Sequence, residues 1–128
     1  MRKRKAKPVR VLIADDHRLF SEALEAILAT DERISVVGQA NNGGEAVELA
    51  EKLEPDVVLM DVSMPVLDGF EATREIRAAK EEVSVLMLTG SNSRADVDRS
   101  REAGAVGYVT KDRIASELVD TILKVTMR

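Results

Sequence analysis

Acidic, hydroxyl and basic side chains follow short apolar runs at four places in this sequence. Asp15 and Asp16 come after the first run, Asp61 after the third, Thr89 after the fourth, and Lys111 lies just beyond the fifth. If these positions meet, three carboxylates repel one another in one crevice, and one lysine cannot neutralise them. The residue types therefore predict a site for a hard divalent cation such as Mg²⁺, which binds one or two carboxylates together with water and a phosphate oxygen.

Such a site suits phosphoryl transfer. An aspartate beside Mg²⁺ can attack phosphorus and form an acyl phosphate, and Asp61 is the candidate nucleophile. The cation and Lys111 would offset the negative charge on the phosphoryl oxygens, because these transfers depend mainly on positioning and electrostatics.

Each of these residues also has an ordinary structural explanation. Asp15 and Asp16 could cap the first helix, since aspartate is favoured at helix starts. Asp61 could form a turn, Thr89 could simply end a strand, and Lys111 could be a solvated surface lysine. Taken together, these explanations do not predict that all of them should share one edge of a sheet.

The elements that would bring them together are visible as two alternating patterns. Short apolar runs rich in β-branched residues predict strands, and four of the five are apolar almost throughout, as in parallel strands covered on both faces. The runs are residues 9–14, 34–40, 57–60, 83–88 and 105–109. The second run is more polar, with Ser35 and Gln39, which predicts an edge strand.

Apolar residues at helical spacing follow each run and predict five helices. The predicted stripes are Leu19, Phe20, Ala23, Leu24, Ile27 and Leu28; Ala46, Val47, Leu49, Ala50 and Leu53; Phe70, Thr73 and Ile76; and Ile114, Leu118, Val119, Ile122 and Leu123, the last on a helix over 114–127. The fourth helix, about residues 94–103, has few apolar residues, so we expect it to be the most easily displaced. Asp68-Gly69 predicts a cap or turn, and Gly43-Gly44 the opening of a helix.

Strict alternation of strand and helix predicts an α/β fold of three layers, α/β/α. Right-handed crossovers favour a doubly wound, five-stranded parallel sheet of flavodoxin-like order 2-1-3-4-5. Ligands of such sheets bind beyond the carboxyl ends of the strands, at the switch point between strands 1 and 3. Asp15, Asp16 and Asp61 fall at that point.

Composition limits the other possibilities. The 128 residues suit one domain and are 45% hydrophobic and 33% charged, which is ordinary for a globular protein. The absence of cysteine excludes a disulfide framework, a thiol nucleophile and a thiolate metal site. The one histidine, His17, cannot by itself build a zinc site or a catalytic triad, and it reads as an exposed residue of the first helical turn. No apolar run is long enough for a membrane span, and no signal region follows the basic N-terminus.

The N-terminal segment differs in charge from the rest of the chain. Residues 1–10 carry six basic side chains and no acid, whereas the whole chain has a net charge of −4. A basic tail can bind nucleic acid or anionic surfaces, but a solvated, flexible tail over residues 1–8 is the simpler interpretation. The acidic remainder, residues 9–128, argues against DNA binding by the folded part.

Four stretches, in order, resemble the receiver domains of two-component response regulators. They are Val11-Leu12-Ile13-Ala14-Asp15-Asp16-His17, Asp61-Val62-Ser63-Met64-Pro65-Val66-Leu67-Asp68-Gly69, Leu88-Thr89 and Tyr108-Val109-Thr110-Lys111. The resemblance covers residues 9 to the end, and its start and the Lys111-Asp112 pair are similar to the NarL/FixJ branch. Members of that branch are usually transcription factors with a LuxR-type helix-turn-helix output domain.

The resemblance implies a CheY-like fold and a role for each matching residue. Asp61 would be the phosphoacceptor, and Mg²⁺ would be bound by Asp16 and Asp61, by Asp15 through water, and by the backbone carbonyl of Ser63. Thr89 would hydrogen-bond the phosphoryl group and Lys111 would pair with it. Tyr108 would be an aromatic switch that turns inward when Thr89 moves.

The resemblance also implies partners and regulation. The donor would be a phosphohistidine on a sensor histidine kinase, in the cytoplasm and without membrane attachment. The domain would be regulatory rather than an enzyme, catalysing only its own phosphorylation and dephosphorylation. Phosphorylation would change the face formed by helix 4, strand 5 and helix 5, with homodimerisation as the expected result. DNA would be bound only through an output domain beyond this chain.

Two departures and two alternatives accompany this interpretation. Many receivers have a cis proline after the active-site lysine, but Asp112 stands there, and non-proline cis bonds are rare. Ser63 and Ser91, both small, would leave room for attacking water, which predicts an ordinary rather than slow autodephosphorylation.

A phosphorylation-independent interaction module could share the fold. A flavin- or nucleotide-binding enzyme would need a phosphate-binding loop after strand 1, where two acids stand instead.

Overall fold

Strands and helices alternate along the whole described chain. A computed structural model describes residues 7–62, 64, 67–90 and 94–126. The strands are β1 (Val9–Ala14), β2 (Ile34–Ala40), β3 (Val57–Asp61), β4 (Ser84–Thr89) and β5 (Gly107–Thr110). The helices are α1 (Arg18–Ala29), α2 (Gly43–Leu53), α3 (Gly69–Ala79), α4 (Arg94–Ala103) and α5 (Ile114–Thr126), the last preceded by a 3₁₀ turn at Lys111–Arg113.

The sheet has the predicted order and direction. Its strands run β2-β1-β3-β4-β5, and every neighbouring pair is parallel. Burial on both faces explains why β1, β3 and β4 are almost entirely apolar, since a strand covered on both sides has no solvent-facing positions. The strand β2 lies at the edge and is only partly buried, as its polar residues predict.

Two apolar clusters cover the sheet, one on each face, and complete the three layers. Helices α2 and α3, with the end of α4, pack on one face through Ala46, Phe70, Ile76 and Ala103. Helices α1 and α5 pack on the other face through residues that include Leu24, Leu28, Ile114, Leu118 and Ile122. The flavodoxin-like, doubly wound prediction is confirmed.

The start of β5 differs from the sequence prediction. The strand begins at Gly107 rather than at residue 105. The Ala105 amide donates to the Ser100 carbonyl at 3.0 Å, so this residue closes the last turn of α4. Gly104 makes that closure possible with φ of 105°, a left-handed conformation that glycine adopts without a steric cost. Apolar character alone could not distinguish this capping residue from a strand residue.

The predicted stripe of α1 is wrong at two positions. Leu19 is 82% exposed and Ala23 is also exposed, whereas Leu24 and Leu28 are buried. Helical spacing places apolar residues on neighbouring angles, but only the partner surface decides how wide the buried stripe is. Leu19 lies outside the part of α1 that the sheet covers.

Helix α4 has little burial, as predicted. Its buried residues are Ser100 and Ala103, and both are small. The Arg99 guanidinium lies over the Phe70 ring, 4.0 Å from its centroid, and this contact ties the middle of α4 to the start of α3. A helix with so small a buried surface has little apolar burial to oppose its displacement.

Four further predictions concern the end of α5, the basic tail, the peptide bond after Lys111 and membrane spans. Helix α5 is described as far as Thr126, so its predicted last residue, Met127, lies outside the described residues, as do residues 1–6 of the basic tail. All described peptide bonds are trans, including the bond between Lys111 and Asp112. No helix among the described residues is both long enough and apolar enough to cross a lipid bilayer.

Candidate functional site

The carboxyl ends of four neighbouring strands meet at one rim of the sheet. Ala14 pairs with Met60, so the residues that follow them, Asp15 and Asp61, are brought side by side. Asp61 pairs in turn with Leu88, the residue before Thr89. Thr89 pairs with Thr110, which precedes Lys111. Parallel pairing therefore collects the predicted site residues, because all of these strands end at the same edge.

Two buried carboxylates and one ammonium form the centre of the site. Asp15 and Asp61 are 1% and 2% exposed. The Lys111 Nζ lies 3.3 Å from Asp61 Oδ1 and 4.0 Å from Asp15 Oδ2. Among the described residues, Lys111 is the cation that pairs with both buried carboxylates, and the partly exposed Asp16 adds a third negative charge beside them. So many acidic groups in a small volume favour the binding of a cation.

The carboxylate of Asp15 has an oxygen that a cation could satisfy. Its Oδ1 accepts a hydrogen bond of 2.7 Å from the His17 backbone amide. Its Oδ2 is fully buried and accepts no hydrogen bond from any described residue. A buried carboxylate oxygen without a donor is costly, and a metal ion would remove that cost. The oxygen-rich set of Asp15, Asp16 and Asp61 matches the preference of Mg²⁺.

His17 belongs to this cluster, although we did not predict a role for it. Its Nδ1 lies 3.4 Å from Asp15 Oδ1 and 3.3 Å from Asp16 Oδ1. One ligand atom from each of Asp15, Asp16, His17 and Asp61 lies within 4.8 Å of the others. His17 is also the N-cap of α1, so the two aspartates before it do not cap that helix. In the sequence, the one indication of this contact is that His17 directly follows Asp16. The sequence does not show how far the imidazole lies from the two carboxylates.

The start of α3 lies directly against the end of β3. The Gly69 amide donates to the Val62 carbonyl at 3.1 Å, and Asp68 caps α3 by accepting from the Glu71 amide at 2.9 Å. The predicted cap at Asp68-Gly69 is therefore confirmed. A Cβ atom on Gly69 would lie 2.2 Å from the Asp61 carbonyl oxygen, so only glycine allows this close approach. Ser63, predicted to supply a metal ligand, lies outside the described residues, as does Ser91.

Thr89 and Tyr108 lie on the two neighbouring strands β4 and β5. Thr89 is buried at the end of β4, whereas the Tyr108 side chain on β5 is 37% exposed. A cavity of about 140 Å³ lies between α4 and β5 and is lined by residues that include Ser100, Val106 and Tyr108. The tyrosine thus borders an open space beside the loosely packed helix.

An acidic cleft of about 570 Å³ opens next to the site. Its lining includes Asp16, Asp68 and Asp96, with Phe70 and the Arg99 side chain that lies over its ring. The cleft meets the site at Asp16. Neither Phe70 nor Arg99 was predicted at the site, because nothing in the local sequence shows that α3 and α4 meet there.

Comparison with known proteins agrees with this geometry. The response regulator receiver domain model matches residues 11–123. The transcriptional regulatory protein LnrK of Bacillus subtilis is 40% identical over 117 residues, covering 91% of this chain and 53% of that protein. The response regulator GacA of Pseudomonas aeruginosa is also 40% identical over 117 residues, covering 91% of this chain and 55% of that protein. The chain therefore spans about half the length of the curated relatives it matches.

Solved structures show the same relationship. The signal receiver domain of NarL from Mycobacterium tuberculosis superposes with a TM-score of 0.90 at 33% identity, covering 94% of this chain and 98% of that chain. The response regulator domain of Thermotoga maritima CheB gives a TM-score of 0.87, also at 33% identity, covering 94% and 97% of the two chains. Similarity to the NarL domain agrees with the branch that the sequence resembles. Together with the acidic rim, these matches show that the chain belongs to the response regulator receiver domain family of two-component signal transduction.

Proposed function

We propose that this receiver domain accepts a phosphoryl group on Asp61 from a phosphohistidine of a sensor histidine kinase. The observation that supports this most directly is the Lys111 ammonium 3.3 Å from Asp61 Oδ1, beside the second buried carboxylate of Asp15. An acceptor needs a nucleophilic oxygen with a positive charge next to it, and Asp61 has both. The response regulator that contains this domain acts in the cytoplasm. Its receiver domain receives the signal as a phosphoryl group.

The reaction is a transfer between two nucleophiles. The P–N bond of the donor breaks as a bond forms between phosphorus and an Asp61 carboxylate oxygen, and the donor imidazole leaves as its neutral form after taking up a proton. Asp16, Asp61 and the Ser63 carbonyl, with Asp15 through water, would hold Mg²⁺, which would supply positive charge for the phosphoryl oxygens. Lys111 pairs with one of these oxygens, and the Thr89 hydroxyl donates a hydrogen bond to another.

The direct test uses acetyl phosphate, a small phosphodonor, in place of the kinase. With Mg²⁺, the intact mass is expected to rise by one phosphoryl group, and excess chelator should prevent the rise. Borohydride reduces an acyl phosphate to an alcohol, so peptide mapping after reduction locates the acceptor. An unmodified protein under these conditions would instead support a phosphorylation-independent interaction module on the receiver fold.

Replacement of Lys111 with methionine is expected to separate cation binding from phosphoryl transfer. The lysine competes with a metal ion for Asp15 and Asp61, so Lys111→Met should bind Mg²⁺ on the order of tenfold more tightly. Loss of the charge that pairs with the phosphoryl group should slow phosphorylation by about 100-fold. Calorimetric Mg²⁺ titration and a mass time course measure the two effects.

The exposed Lys124 on α5 provides the matched control for that experiment. Lys124→Met should match the wild-type protein in both measurements. Weaker Mg²⁺ binding by Lys111→Met would contradict the proposed role, because it would mean that the lysine supports the metal site rather than competing for it.

The phosphoryl group acts as a switch by favouring one of two conformations. Its oxygens draw Thr89 toward the site, and Tyr108 turns from its partly exposed position into the space that Thr89 leaves. Helix α4, with only small residues buried, then shifts against β5. The face formed by α4, β5 and α5 changes its partner affinity as a result.

Phosphorylation is expected to promote homodimerisation through this face. Val106 is 46% exposed there, and an exposed apolar side chain favours association once the inward turn of Tyr108 and the shift of α4 have made the surrounding surface complementary. Sedimentation velocity of the phosphorylated domain should show a dimer at concentrations where the unmodified domain is monomeric. Equal self-association of the two forms would refute the dimer. In the whole protein, an output domain outside this chain would bind DNA.

A further inference from the structure

The ammonium group of Lys111 has a neighbour that no catalytic role yet explains. Its Nζ lies 4.6 Å from the centroid of the Phe20 ring, while Asp61 and Asp15 lie on the carboxylate side at 3.3 and 4.0 Å. A cation within about 6 Å of an aromatic ring face is attracted by the negative face of the ring. Lys111 thus sits between two attractive surfaces, one charged and one neutral.

The position of Phe20 is fixed relative to the site. It lies in the first turns of α1 and packs, half-buried, against the apolar cluster beneath that helix. Its neighbour Ser21 is buried and its hydroxyl donates to the Asp15 carbonyl at 3.5 Å, while the Ser21 amide donates to the His17 carbonyl at 2.9 Å. The ring is therefore attached to the same short segment that carries the acidic pair.

The two attractive surfaces respond differently to a bound cation. A divalent ion on Asp15 and Asp61 offsets the carboxylate charge and also repels the lysine, so the ion pairs of Lys111 weaken. The attraction of the Phe20 ring for the ammonium does not depend on carboxylate charge and persists. Without the ring, the long and flexible lysine side chain would leave toward solvent, since 30% of it is already exposed.

We propose that Phe20 is a positioning residue for phosphoryl transfer. Its ring keeps the Lys111 ammonium at the rim when Mg²⁺ occupies the carboxylates, so that the lysine can meet the incoming phosphoryl oxygens. The proposal rests on the proposed phosphorylation of Asp61. A purely structural Phe20 would fill space under α1, and leucine would serve nearly as well.

The test compares Phe20→Leu, which keeps apolar bulk without a ring, with Phe20→Tyr, which keeps the ring. With saturating Mg²⁺ and acetyl phosphate, Phe20→Leu should be phosphorylated about two- to tenfold more slowly than wild type, and Phe20→Tyr within about twofold of it. In a Lys111→Met background, Phe20→Leu should cause no further loss. Thermal unfolding of each variant separates these effects from loss of fold.

A second measurement does not depend on phosphorylation. The side-chain methylene protons of Lys111 next to Nζ should show an upfield ring-current shift by NMR, retained with Mg²⁺ and in Phe20→Tyr but lost in Phe20→Leu. Equal rates for wild type and Phe20→Leu, the same slowing in both backgrounds, or loss of the ring-current shift on adding Mg²⁺ would each overturn the proposal. If wild type itself takes up no phosphoryl group, the proposed function fails and the role of Phe20 fails with it.

Discussion

Replacement of Asp61 with asparagine is expected to reduce phosphorylation by acetyl phosphate by about three orders of magnitude or more, as loss of a nucleophile does in enzymes. The amide is nearly the same size as the carboxylate but lacks a charged oxygen that can attack phosphorus. Asp61 is 2% exposed and already faces the Lys111 ammonium, so its carboxylate is held inside the site and does not point into solvent. Intact mass after incubation with Mg²⁺ and acetyl phosphate measures the loss.

Asp98 on α4 is exposed and offers a matched control for the same change. Asp98→Asn should react at the wild-type rate. Full phosphorylation of Asp61→Asn would assign the phosphoryl group to another acid of the rim, with Asp16 the first candidate because it is the most accessible. That result would leave the family assignment intact and refute the proposed acceptor.

Replacement of Gly69 with alanine is expected to destabilise the domain by about 3 kcal/mol and to slow phosphorylation as well. The added Cβ would lie 2.2 Å from the Asp61 carbonyl oxygen and 3.1 Å from the Val62 Cα, and these are backbone atoms that cannot turn away as a side chain could. The start of α3 or the end of β3 must move, and movement of β3 displaces Asp61, the proposed acceptor. Chemical denaturation measures the loss in the free energy of unfolding.

Gly90 provides the control, because a Cβ there would meet no atom of the described residues within 4 Å. Gly90→Ala should change the free energy of unfolding by less than about 1 kcal/mol. A wild-type stability for Gly69→Ala would mean that the close approach of α3 to Asp61 is not required by the fold.

The strand pattern was predictable because burial of a parallel strand leaves a direct trace in the sequence. Strands β1 and β2 have the predicted bounds, and the order of the sheet follows from alternation and the right-handed crossover. The position of Asp15, Asp61, Thr89 and Lys111 at the strand ends could be predicted for the same reason. Parallel strands bring all their carboxyl ends to one edge whatever the side chains are.

The boundaries and faces that failed depended on the packing of other elements. Ala105 is as apolar as a strand residue, yet its amide completes the last turn of α4. Leu19 fits a helical stripe, yet the sheet does not reach it. A local sequence pattern shows the period of a helix or strand. The extent of its buried face is set by the surface that packs against it.

The amino-acid order alone determined the α/β class, the sheet order and which acidic, hydroxyl and basic residues lie at the rim. Each of these follows from the periodicity of the elements and from the residue type after a strand. Tertiary structure decided which neighbours tune that chemistry: the imidazole of His17 near two carboxylates, the ring of Phe20 under Lys111, and the contact of Arg99 with Phe70 between two helices. These contacts join separate elements or depend on the angle of a turn. Ångström-scale distances between side chains arise only when the packed helices and strands have fixed their mutual positions.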